Sequence, residues 1–148
     1  MLTFRREKPS FDSDVVYSRL FGKGKHNLYQ FTDEELVEND KNAQSSHRVI
    51  AMSYHGARMH MDAARFMQYK KTGKFMPVTS FIGVDSARSV LSEDAVFPSS
   101  KSDLIAHQGW KVVDVTTNKR VHLSELLSGI PEKIYNDVDE VAEELRIG

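Results

Sequence analysis

The sequence predicts an α+β protein: a small antiparallel or mixed sheet packed against one long central helix over 46–71, with shorter helices and a C-terminal amphipathic helix. Three observations carry this. Residues 46–71 run from a pair of serines to Gly73 without a proline, and their apolar members fall round most of a helix circumference. Residues 110–116 alternate like a half-buried strand, and 117–119 supply a turn into a second short run at 120–123. The elements interleave without the strand–helix–strand cadence or the Gly-rich first turn of a doubly wound sheet.

Composition bounds the rest. A chain of 148 residues is the size of one domain, 1–148, and 40% hydrophobic with 28% charged residues suits a folded globule rather than a disordered or fibrous chain. A formal net charge of -1 provides no global attraction for nucleic acid or anionic membrane. The absence of cysteine excludes a thiolate nucleophile, a Cys-type zinc site and an iron–sulfur cluster, and agrees with a reducing compartment. With no secretory signal pattern and no apolar run near the roughly 18 residues of a membrane span, a cytoplasmic location is expected.

In chain order, Asp12 or Ser13 caps a short helix through about Leu20, ended by Gly22. Residues 26–31 read as a strand. Thr32 and Glu35 have the spacing of a capping box, in which each side chain satisfies one exposed amide of a short acidic helix. Residues 38–44 are polar and expected to be looped. The long helix follows, with Lys70 and Lys71 complementing its negative end and Gly73 stopping it. Residues 75–82 read as a strand, with Pro77 at an edge position. Asp85 caps a helix over 86–91, and Ser100 or Ser102 caps another ending near His107. After the 110–123 hairpin, Pro131 opens the last helix, on which Ile134, Val138, Val141 and Leu145 share a stripe opposite an acidic face.

At about 100° per residue, the long helix keeps one narrow polar strip containing His47, Arg58, Asp62 and Arg65, flanked by His55 and Tyr69. Asp62 lies four residues from Arg58 and three from Arg65, so one carboxylate can sit between two guanidiniums. Structurally this is an ion-pair ladder. Functionally, Asp62 would orient Arg58 and Arg65 to grip a phosphate or carboxylate, with His55 as acid or base. Lys23 and Lys25, in the loop Phe21-Gly-Lys-Gly-Lys-His-Asn27, would add cations.

No metal and no cofactor is expected. His55 and His60 are five apart and point about 140° away from each other on a helix, unlike the four-residue zincin spacing. No Gly-x-Ser-x-Gly elbow supports nucleophilic hydrolysis. Four methionines, Met52, Met59, Met61 and Met67, read as packing residues of the helix. Any part of that apolar girdle left uncovered would call for a partner chain or a second copy.

Two functions follow. The first is a small cytosolic non-enzymatic interaction protein, self-associating or partner-binding through the apolar helix face or the acidic C-terminal helix. The alternative is a small enzyme or ligand-binding domain for an anionic small molecule, a nucleotide or phosphate ester, using the His/Arg/Asp strip. Nucleic-acid binding ranks last, because no aromatic-rich strand or helix-turn-helix pattern accompanies the basic residues.

Overall fold

The computed structural model describes residues 3–5, 15–21, 28–43, 48–53 and 58–147. The chain forms two compact units, Met1–Phe75 and Met76–Gly148.

In the first unit, β1 (Thr3–Arg5), β2 (Val15–Phe21) and β3 (Arg48–Ser53) form a mixed sheet, with helices α1 (Asp33–Ala43) and α2 (Met59–Thr72). β1 runs antiparallel to β2, pairing Thr3 with Phe21. β2 and β3 are parallel, with Val15 opposite Arg48 and Leu20 opposite Ser53. A parallel pair cannot be joined by a tight turn, and α1 lies in the connection that carries the chain from one strand to the other.

Two helix expectations fail here. Residues 15–21 are a strand, in keeping with the β-branched Val15 and Val16 and the aromatic Tyr17. The long central helix over 46–71 is absent as such: its first part contains β3, and among the described residues of the span the helix is confined to Met59–Thr72. A short run such as Val49-Ile-Ala-Met52 satisfies a helical wheel and a buried strand equally well, and the neighbouring parallel strand decides between them. α2 ends as expected, at Gly73 with φ 74°, its amide donating to Tyr69 O at 2.7 Å.

The capping box is present. Glu35 N donates to Thr32 Oγ1 at 3.4 Å, and Thr32 N donates to Glu35 Oε2 at 3.0 Å. The helix it opens is longer than expected, since 38–43 continue it instead of looping, with Leu36, Asn39 and Asp40 buried along one side. Residues 28–32 are not the expected strand. Tyr29, Phe31 and Leu36 make a small core with Phe66 and Phe75. Thr32→Ala should cost about 1 kcal/mol in chemical denaturation while Thr32→Ser costs a few tenths. Equal stability of Thr32→Ala and wild type would show that the box contributes nothing.

The second unit runs α3 (Val84–Asp94), β4 (Ser99–Ser100), α4 (Lys101–Gln108), β5 (Val112–Thr116), β6 (Lys119–His122), α5 (Leu123–Leu127), β7 (Ile134–Tyr135) and α6 (Val138–Glu144). β4 with β7 and β5 with β6 are two-stranded antiparallel ribbons. Side chains from the helices and strands, among them Leu91, Leu104, Val113, Leu127, Tyr135 and Val141, form its core. The α4 helix and the hairpin stand where the sequence puts them, and Ser100 caps α4 by accepting from Asp103 N at 3.1 Å. α3 is longer than the expected 86–91, and Asp85 lies inside its first turn instead of capping it, Gly83 holding the N-cap position without a side-chain cap.

Two further expectations fail in this unit. No strand forms over 75–82. The C-terminal helix starts at Val138, capped by Asp137, rather than at Pro131, because Ile134 and Tyr135 are taken into the ribbon with Ser100 and Ser99. Ile134 consequently faces solvent, while Val141 and Leu145 remain in the core. Tyr135 donates its hydroxyl to Pro131 O at 2.7 Å, and burial pushes its phenol above the ordinary tyrosine pKa. Among the described residues, no helix is long and apolar enough to cross a membrane.

Candidate functional site

The polar strip of α2 is turned inward. Asp62, Arg65, Phe66 and Tyr69 recur at intervals of three and four residues, so they share one face of the helix. Asp62 is 0% exposed and Arg65 1%. Asp62 Oδ2 accepts from Phe31 N at 2.9 Å, and Arg65 Nη1 donates to Phe31 O at 2.8 Å. The same nitrogen lies 3.2 Å from Asp62 Oδ1, while Nη2 pairs with Asp33 Oδ1. The guanidinium also sits 5.7 Å from the Phe75 ring centroid. Asp62 and Arg65 thus grip both polar groups of one peptide residue that belongs to no strand.

Arg58 is also buried, at the start of α2, where its carbonyl accepts from Met61 N and Asp62 N. Of the anion-site candidates, Arg58, Asp62 and Arg65 are therefore brought together in the interior of the first unit. His55, Lys23 and Lys25, like His47, lie outside the described residues.

The opposite face of α2 is the exposed one. Met59 is 49% and Met67 59% exposed, with His60, Ala63, Ala64 and Gln68 also outward. This reverses the expectation of packing for Met59 and Met67, while Met61 is half-buried and the side chain of Met52 lies outside the described residues. Burying Asp62 and Arg65 is tolerable because each charge is met by an opposite charge and a main-chain partner, whereas an unpartnered charge would be costly.

In the second unit another buried carboxylate organises an exposed apolar segment. Asp114, 0% exposed on β5, receives Val78 N at 3.1 Å and Thr79 N at 2.7 Å. Thr79 Oγ1 donates to Asp114 Oδ2 at 2.7 Å, and Arg120 Nε lies 2.8 Å from Oδ1. The Asp114 main chain contributes too: its amide donates to Ser86 Oγ at 2.9 Å and its carbonyl accepts Gly83 N at 2.8 Å. Gly83, at φ 67°, makes the left-handed turn from this segment into α3 that a residue with a Cβ would resist.

The bracketed segment, 76–82, presents Met76, Phe81 and Ile82 to solvent, the last two at 51% and 57% exposure. The carboxylate thereby ties the main chain of 78 and 79 to β5 and to Arg120. Sequence reasoning passed over Asp114. Its signal was a charge inside an otherwise apolar strand, with Arg120 directly opposite across the hairpin.

Among the described residues, no group of three or more His, Asp or Glu side chains is gathered as metal ligands. The fold and this geometry define a small cysteine-free α+β protein with two buried carboxylate–guanidinium brackets and exposed apolar residues on α2 and on 76–82. No protein-family model, curated protein or solved structure matches the chain.

Proposed function

We propose that the chain is a non-enzymatic interaction protein that binds a protein partner through exposed apolar side chains. The observation that carries this reading is the 76–82 segment, where Phe81 and Ile82 stand in solvent while the backbone beneath them is tied to a fully buried carboxylate. Ordering a loop and its side chains normally opposes association, and a segment already held in place avoids part of that cost. Phe and Met, present here as Phe81 and Met76, are among the residues enriched at the cores of protein interfaces. Met59 and Met67 on α2 add flexible thioethers suited to adaptable contact.

The alternative of an anion site on Arg58 and Arg65 would require Arg65 to exchange Asp33, Asp62 and Phe31 O for the ligand. That exchange would leave two carboxylates without their guanidinium, which favours the interaction reading.

Phe81→Ser and Ile82→Ser should each change stability by no more than about 0.5 kcal/mol, as surface substitutions do. A photo-crosslinking residue in place of Phe81 should yield a discrete adduct in the source cell, and Ile82→Ser should remove it. Loss of fold stability in the serine variants, or the lack of any discrete adduct, would overturn the proposal.

A further inference from the structure

The near-neutral charge of the whole chain conceals two halves of opposite sign. Met1–Phe75 carries 13 Lys and Arg against 9 Asp and Glu, a formal +4, whereas Met76–Gly148 carries 7 against 12, a formal -5. Each half also displays exposed apolar residues with charges of its own sign near them in sequence. On α2, Met59 and Met67 are exposed, as are Lys71 and, just past the helix, Lys74, whereas Lys70 is paired with Asp40. Beyond Phe81 and Ile82 come Asp85 and, joined to the same Arg88, Asp139, with side chains 72% and 71% exposed.

We infer that the partner of the 76–82 segment is a second copy of this chain: Phe81 and Ile82 of one copy dock on the Met59 and Met67 face of α2 of the other. The inference rests on the interaction reading above and names its occupant. Apolar centres with oppositely charged rims are the arrangement in which rims steer encounter and set orientation while the centre holds the complex. Every copy carries both the Phe81–Ile82 surface and the α2 face, so one copy offers what another needs.

The test uses the full-length protein, purified without other components. Sedimentation equilibrium should show a concentration-dependent dimer, weakened by raising the salt because exposed rim charges are screened. Lys71→Glu with Lys74→Glu should weaken it about tenfold, and Phe81→Ser at least as much. With an equal mixture of heavy-isotope and ordinary protein, a photo-crosslinker at position 81 should join peptides of different isotope label, landing in 59–74. A strict monomer, a dimer indifferent to these substitutions, or crosslinks confined to peptides of one label would overturn the inference. A monomer whose position 81 crosslinks a different protein in the cell would sink self-docking and leave the interaction reading standing, whereas the absence of either adduct would remove both.

Discussion

Asp114→Ala should destabilise the Met76–Gly148 unit by about 3–5 kcal/mol, the usual result of removing one partner from a buried ion pair. The alanine would leave Arg120, itself 3% exposed, without its carboxylate. It would also withdraw the acceptor from Val78 N and Thr79 N, which serve the segment beneath Phe81. Asp114→Asn should fall between, since the amide oxygen can still accept from the main chain but carries no charge for Arg120. Pairing Asp114→Ala with Arg120→Met should recover part of the loss, because the buried charge left behind is then removed as well. Denaturant unfolding gives the stabilities, and amide exchange at 78 and 79 reports on the segment itself. A loss below about 1 kcal/mol for Asp114→Ala, with unchanged exchange at those amides, would show that Asp114 does not hold the segment.

In the first unit, Arg65→Ala should cost about 3–5 kcal/mol, because it strips the guanidinium from Asp62 and Asp33 together. Arg65→Lys should rescue little. A single ammonium cannot reproduce the planar fork that reaches Phe31 O, Asp62 and Asp33 at once. Met67→Ala, two residues on but outward, should cost under about 0.5 kcal/mol. Asp62→Ala combined with Arg65→Ala should lose less than the two singles added, since each single change strands the other partner. If Arg65→Ala proved no costlier than Met67→Ala, the strip would not be structural, and the anion-binding alternative would regain its footing.

Legibility followed how local each interaction is. Thr32 and Glu35 form a capping box because both partners lie within one turn, so spacing alone suffices. Ser100, Asp114 to Arg120 and Gly73 are similar: a cap, a hairpin and a helix stop involve neighbours in sequence. The span 46–71 misled because apolar periodicity cannot separate a short buried strand from a helix, and β3 exists by pairing with β2 more than thirty residues upstream. The C-terminal helix lost its first turns to a ribbon whose other strand is β4, again a distant partner. The site was half legible. Asp62 and Arg65 stood out as a pair from their three-residue spacing, but Asp33 and the Phe31 main chain that complete the bracket are some thirty residues away.

By itself the sequence determined the α+β class, the Thr32–Glu35 and Ser100 caps, the Gly73 stop, the β5–β6 hairpin and the Asp62–Arg65 pairing, most of them consequences of side chains a few positions apart. Only the tertiary structure decided which side of α2 faces inward. A helical wheel ranks faces by apolarity, yet here a stripe of opposite charges that satisfy each other and a distant peptide is buried, and the methionines are left outside. That choice turns on partners folding brings from afar.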